Sequence, residues 1–193
     1  DVGRVRLFSN AQPIRRPSDL RQVRPWAWRD EVVLTSLLDA AGANPVRLGV
    51  PEVYPALQTG MIDTVFSTGV AAVSLQWYTR LDYVTRESRG VAVGATILKR
   101  GVYEELPTEL REALDRTADK AHAALRSAIR RDDERAYRVM TERGMREVSV
   151  TEFEDEWEAL ERKVRERLTG RLFPASLLER VARAGRGGNP AGG

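Results

Sequence analysis

Apolar and polar positions change their rhythm about half-way along the chain. Up to about residue 98, short apolar runs alternate with turn signals. From about residue 107 onward, apolar positions recur at helical spacing inside strongly charged sequence. In the first region, residues 5–8 predict a strand and residues 13–19 a turn-rich connection. Residues 23–28 predict a second strand, and Pro25 suits an edge or a strand end because it has no N–H for a ladder. Asp30 is placed to cap a helix carrying Val33, Leu34, Leu37, Leu38 and Ala41, which Gly42 ends. Residues 46–50 predict a strand, Pro51 opens a helix, Gly60 closes it, and residues 61–66 predict the next strand. A helix over 69–78 and a continuously apolar, buried strand over 91–98 complete this half.

In the second region Pro107 suits a helix start. Leu110, Leu114, Ala118, Ala121, Leu125, Ala128, Ala136 and Met140 then keep to one side of a helix that runs to about Arg143. Gly144 stops it, and residues 145–150 predict a short strand. Thr151 and Glu154 have the spacing of a capping box. Phe153, Trp157, Leu160, Val164 and Leu168 form one apolar face ended by Gly170, and Pro174 opens a last helix. Strands alternating with helices predict an α/β lobe with a mostly parallel sheet over residues 1–100. Residues 101–184 predict a long helix, a short strand and C-terminal helices packed on it. The tail from residue 185, GRGGNPAGG, predicts disorder.

Composition narrows the chemistry. There is no Cys among 193 residues, so no disulfide framework exists. Lys occurs only at Lys99, Lys120 and Lys163, leaving 28 Arg among 31 basic residues. Those arginines are interleaved with Glu and Asp, as on a solvated helix face, and net charge is only +3. The best basic stripe, Arg15, Arg16, Arg21, Arg24 and Arg29, lacks a recognition-helix pattern, so no nucleic-acid partner is expected. No apolar run is long enough to span a membrane. Asp1 opens the chain without a basic start or an apolar leader stretch. That implies a leader already removed or a start inside a longer protein.

No catalytic constellation stands out. His122 is the only His and lies within the charged helix. It has no Cys or second His beside it for a metal and no Ser–His–Asp arrangement. Glu104-Glu105 and Asp132-Asp133-Glu134 read as solvated helix faces. No metal and no cofactor is expected.

The segment VRLGVPEVYPALQTGMIDTVFS, residues 46–67, carries more content. Its second strand ends on Ser67 and Thr68, where open α/β folds place ligands. Trp26 and Trp28 share one face if residues 23–28 are a strand. With Phe66 and Tyr78 they supply aromatic walls of the kind that line small-molecule clefts; simple core packing of the tryptophans is the competing account.

Several segments resemble the second half of an extracytoplasmic solute receptor of the tripartite (TRAP) transporters, DctP type. Residues 10–20, NAQPIRRPSDL, are similar to the family's "kPI.tpeDLkG". Residues 53–63, VYPALQTGMID, are similar to "vY.ALqtGvvDG". The junction at 42–46, the LPTEL at 106–110 and the strand at 144–150 follow in the family's order. The resemblance covers about residues 7–170.

The resemblance implies a periplasmic-binding-protein-like lobe of an α/β ligand trap. It implies a periplasmic or extracytoplasmic location, a small organic solute held between lobes, and delivery to the membrane permease subunits of a TRAP transporter. It implies no enzymatic activity, and a monomer or weak dimer. Family members are typically longer, so the resemblance implies that the part missing here is the first lobe's opening strands and helices. The family usually holds the solute's carboxylate with an Arg that falls here on Trp26, which implies a solute without an Arg-clamped carboxylate. Trp26, Trp28, Phe66, Ser67, Thr68 and Tyr78 are the expected ligand residues. Arg24 and Arg29 are alternative anion contacts, and Gly60 and Asp63 are structural turn residues. The competing functions are a carboxylate receptor that uses a neighbouring Arg, an enzyme on a similar lobe, and a receptor lobe acting as a protein-interaction module.

Overall fold

The computed structural model describes residues 2–187. In chain order the elements are β1 (Arg4–Ser9), β2 (Trp26–Trp28), α1 (Val32–Ala41), β3 (Val46–Leu48), α2 (Val50–Thr59), β4 (Thr64–Ser67), α3 (Gly69–Ser74), β5 (Tyr83–Thr85), β6 (Gly90–Val91), α4 (Arg100–Glu105), α5 (Thr108–Glu142), β7 (Arg146–Val148), α6 (Glu154–Leu168) and α7 (Ala175–Gly187). Short 3-10 turns at Pro17–Gln22, Trp77–Arg80 and Thr151–Phe153 fill the joints.

The α/β class holds, but the sheet is mixed rather than mostly parallel. β1 runs antiparallel to β4, to β5 and to β6. The parallel pairs are β2 with β3 and β5 with β7. β2 connects to β3 through α1, and β5 to β7 by way of α4 and α5, the long crossovers that a parallel pair requires. A parallel bridge from Pro25 to Thr64 joins the β2–β3 pair to the edge at β4.

Alternation along the strands divides the core between the two faces. Phe8 and Val65 face one cluster with Val53, Leu57, Ile62, Trp77 and Met140. Leu7 and Phe66 face the other with Leu20, Leu38, Trp157 and Leu160. α6 covers this second face with Trp157, Leu160, Val164 and Leu168, all buried.

Several elements depart from the sequence pattern. Of the run 91–98 only Val91, next to Gly90, pairs with β1, and the rest is not a buried strand: Val93 is 83% exposed and Ile97 89%. The helix over 69–78 stops at Ser74, because Gln76 takes a left-handed φ of 61° and a 3-10 turn follows. Glu31, not Asp30, caps α1, its carboxylate accepting from the Val33 and Leu34 amides. Thr151 forms no capping box; its hydroxyl donates to Glu87 at 3.0 Å and the helix begins at Glu154. β5 and α4 gave no signal of their own. α5 has 35 residues, about 52 Å, yet buries only Asp133, Ala136 and Met140 near its C-terminal end. α7 continues to Gly187, past the point where the tail was expected to be disordered; residues 188–193 lie outside the described residues.

Candidate functional site

The sheet's β4 ends at Ser67, and the chain turns straight into α3. Thr68 makes that turn: its Oγ1 accepts from the Ala71 amide at 3.2 Å. The Ser67 hydroxyl donates to the Thr68 carbonyl at 3.2 Å. Both residues are buried at the end of the strand and line the space beside it. Beside them opens a cavity of about 820 Å³, within the range that holds small organic ligands.

The cavity has three walls. β2 and the start of α1 give Trp26, Trp28, Glu31 and Leu34; β4 and α3 give Phe66, Ser67, Thr68 and Val70. The third wall comes from the segment around β6 and from α6: Arg89, Val91, Val93, Trp157 and Glu161. Most of the surface is apolar or aromatic.

Trp26 and Trp28 play different parts in it. Trp26 is 6% exposed, packs edge-to-face on Trp77 at 5.3 Å, and donates from Nε1 to the Leu48 carbonyl at 3.0 Å. It shows the cavity only a margin. Trp28 is 54% exposed and lies open to it. Tyr78 stands outside the lining, on the other core cluster, where its hydroxyl accepts from Arg143 at 2.9 Å.

The arginines near Trp26 are committed elsewhere. The Arg24 Nε donates to Asp63 at 3.1 Å and the Arg29 Nη2 to Glu52 at 2.7 Å, and neither lines the cavity. Gly60 ends α2 at φ 71°, a left-handed geometry that glycine adopts freely. Asp63 is buried and accepts from the Arg24 amide and the Thr64 hydroxyl, so it fixes the strand entry.

The arginine in the cavity wall is Arg89. Its side chain is 10% exposed and lies over the Trp157 ring. Nη2 donates to Glu154 at 2.6 Å, and Nη1 lies 3.7 Å from Glu161. Nε and Nη1 are enclosed and have no hydrogen-bond partner. Burial pushes the Glu161 carboxyl above its usual range, against the pull of Arg89 and Arg165. Neither residue was singled out in the sequence: Arg89 sits in a short loop with no motif, and Glu161 is one of many acidic residues on α6. Only Trp157, three residues after Glu154 and four before Glu161, hinted that this helix face is not all solvent-facing. Among the described residues no cluster of His, Cys, Asp and Glu could hold a metal ion, and no helix is long and apolar enough to cross a membrane.

Residues 1–169 match the model of the DctP family, bacterial extracellular solute-binding protein, family 7. The chain belongs to that family. Among DctP-family relatives, the C4-dicarboxylate-binding periplasmic protein DctP of Rhodobacter capsulatus is 22% identical over 169 residues, 86% of this chain and 50% of its own length. The chain thus spans about half the length of the curated relatives it matches. A TRAP periplasmic solute-binding protein of Bradyrhizobium sp. BTAi1, solved with galacturonate, superposes with a TM-score of 0.77 at 17% identity, covering 93% of this chain and 59% of the other. One from Shewanella oneidensis, solved with succinate, gives 0.71 at 19% identity, covering 85% and 54%. The DctP-family fold is therefore shared, and these relatives are binding proteins, not enzymes.

Proposed function

We propose that this chain is the solute-gripping part of an extracytoplasmic receptor that delivers a small organic molecule to a TRAP-type secondary transporter. The solute sits in the cavity between Trp28, Phe66, Ser67, Thr68 and α6. Its body is apolar or aromatic, and no arginine next to Trp26 clamps a carboxylate. One observation carries this reading: Arg24 and Arg29, the arginines nearest Trp26 in sequence, are tied to Asp63 and Glu52 and do not line the cavity; the resemblance in sequence adds that the family's arginine position falls on Trp26. The named relatives are described with a dicarboxylate, galacturonate or succinate, all acids.

Thermal shift against a panel of solutes tests the proposal, because a ligand that binds only the folded chain raises the melting temperature. Aromatic solutes should stabilise the protein, and Trp28→Ala should abolish the shift. Strong stabilisation by C4-dicarboxylates or sialic acid, lost in Arg24→Ala, would favour the carboxylate-receptor alternative.

A second reading has its own support. Val93, Ile97, Leu110 and Leu125 are all more than half exposed, on the segment before α4 and on α5. Apolar surface of this kind suits an interaction module that docks on a protein partner. Light scattering discriminates: a monomer across the working concentration range argues against self-association through that face.

A further inference from the structure

We propose that Arg89 and Glu161 anchor the polar end of the solute, and that they select an uncharged amide group, such as a carboxamide or a lactam, over a carboxylate. The inference rests on the cavity being the solute site and goes further by naming the ligand chemistry and the residues that read it.

The first argument is unmet hydrogen bonding. A guanidinium carries five N–H donors and no acceptor. Arg89 uses Nη2 on Glu154, while Nε and Nη1 are shut away from water with no acceptor. Buried donors in that state are costly and uncommon, and each calls for an explanation. The residue that carries them lines a cavity of ligand size, and the two nitrogens lie just behind its surface.

The second argument is the looseness of Glu161. Its Oε1 lies 3.7 Å from Arg89 Nη1, beyond hydrogen-bond length. Charge alone holds it there. Its side chain is 26% exposed, so it has room to turn and admit a ligand atom to Arg89. On α6, Glu154, Trp157 and Glu161 stand at successive spacings of three and four, so one helix face presents both carboxylates and the indole to the same guanidinium.

The third argument is charge. Glu154 and Glu161 both lie within ion-pair distance of the one Arg89 cation, and Arg165 reaches only the Oε2 of Glu161, at 3.9 Å. A carboxylate entering here would be the third anion around one guanidinium, and like charges brought together are strongly disfavoured. An amide carries no such cost. Its carbonyl accepts from Arg89, and its N–H donates to Glu161. The groups that face Glu161 are Arg89 and Arg165, which favour its ionised form, and Glu154 and Glu158, which oppose it. Burial also disfavours the ionised form, so a donated N–H from the ligand relieves a group already under strain. Beyond this pole the walls are Trp28, Phe66 and Trp157, which suit an apolar or aromatic body.

The test titrates the full chain by calorimetry with phenylacetamide, phenylacetate and methyl phenylacetate, three probes with one aromatic body. The amide should bind about tenfold tighter than the carboxylate, the scale of one net hydrogen bond. Arg89→Lys should weaken the amide by a similar factor. Because Arg89 also braces Glu154 and Trp157, Glu161→Leu is the second variant, on a partly exposed helix face. It should weaken the amide about tenfold and leave the acceptor-only ester within about twofold. Phenylacetate binding as tightly as the amide, or an amide indifferent to Glu161→Leu, overturns the anchor. If Trp28→Ala then still abolishes binding, the cavity remains the solute site and only the anchor falls. If none of the three probes binds, both readings fall together.

Discussion

Asp63 holds Arg24 twice: its Oδ1 accepts the Arg24 amide at 2.7 Å, and its Oδ2 accepts the Arg24 Nε at 3.1 Å. The two contacts are unequal in worth. The Arg24 side chain is 60% exposed, and an ion pair so wetted contributes about 0–1 kcal/mol. The buried carboxylate also meets the Thr64 hydroxyl, so its removal strands donors. Asp63→Ala should cost about 1–3 kcal/mol and Arg24→Ala clearly less, measured by urea denaturation. Equal losses would assign the joint to the ion pair instead.

The tryptophans of β2 should separate stability from binding. Trp26 is buried against Trp77 and hydrogen-bonded to Leu48, so Trp26→Ala should cost about 3–5 kcal/mol. Trp28 is more than half exposed, and Trp28→Ala should change stability by no more than about 0.5 kcal/mol while removing solute binding. Chemical denaturation and ligand titration of the same two variants give both readouts.

Glu87 and Glu161 should respond to acid in opposite senses. Burial pushes Glu87 up, but bonds from the Val150 amide at 2.9 Å and from the Ser149 and Thr151 hydroxyls outweigh it and hold the carboxyl below its ordinary 4.5. Its stabilisation is present above pH 4.5 and is lost as pH falls through its lowered folded value. Glu161 has a raised folded value, so the folded state gains from its protonation at low pH and loses that gain as pH rises from 4.5 through the raised value. In melts across pH, Glu87→Gln should fall behind the parent protein above pH 4.5 and converge with it in acid. Glu161→Gln should be the more stable protein at neutral pH and lose that advantage in acid. Parallel pH profiles for either variant and the parent would contradict this assignment.

Asp133 pins α5 to the sheet. One oxygen accepts the Arg4 amide at 3.0 Å, and the other the Val70 amide at 3.2 Å. Asp133→Ala orphans both, at about 1–3 kcal/mol for each buried donor. Hydrogen exchange at Arg4 and Val70 should accelerate before exchange at Val84, which lies on the far side of β1. Gly69→Ala should strain the same contact, since an added Cβ would lie 3.1 Å from the Asp133 carbonyl oxygen and 3.3 Å from its Oδ1.

What could be read from residue order was local. Gly42 and Gly60 ended their helices as expected because left-handed geometry selects glycine at those points. The face of α6 was legible because Trp157, Leu160, Val164 and Leu168 repeat at 3.6 residues. Residues 91–98 misled because apolar composition marks burial only when something is there to cover it, and β1 reaches no further than Val91. Strand direction left no local trace, so the antiparallel placement of β1 was invisible. At the cavity, Trp28, Phe66, Ser67 and Thr68 could be named from the strand ends that carry them. Arg89 could not, since its place against Glu154 and Glu161 depends on a packing partner 65 or more residues away.

The central position of β1 has a consequence for biosynthesis. Arg6 to Ser9 pair with Thr64 to Ser67, and Arg4 waits for Val91. A growing polypeptide therefore brings out Leu7 and Phe8 well before the strands that flank them here, β4, β5 and β6, have been made. Such delayed, non-local pairing is slow and prone to wrong partners. During translation this segment, rather than the helices that follow, is where a chaperone would have the most to shield.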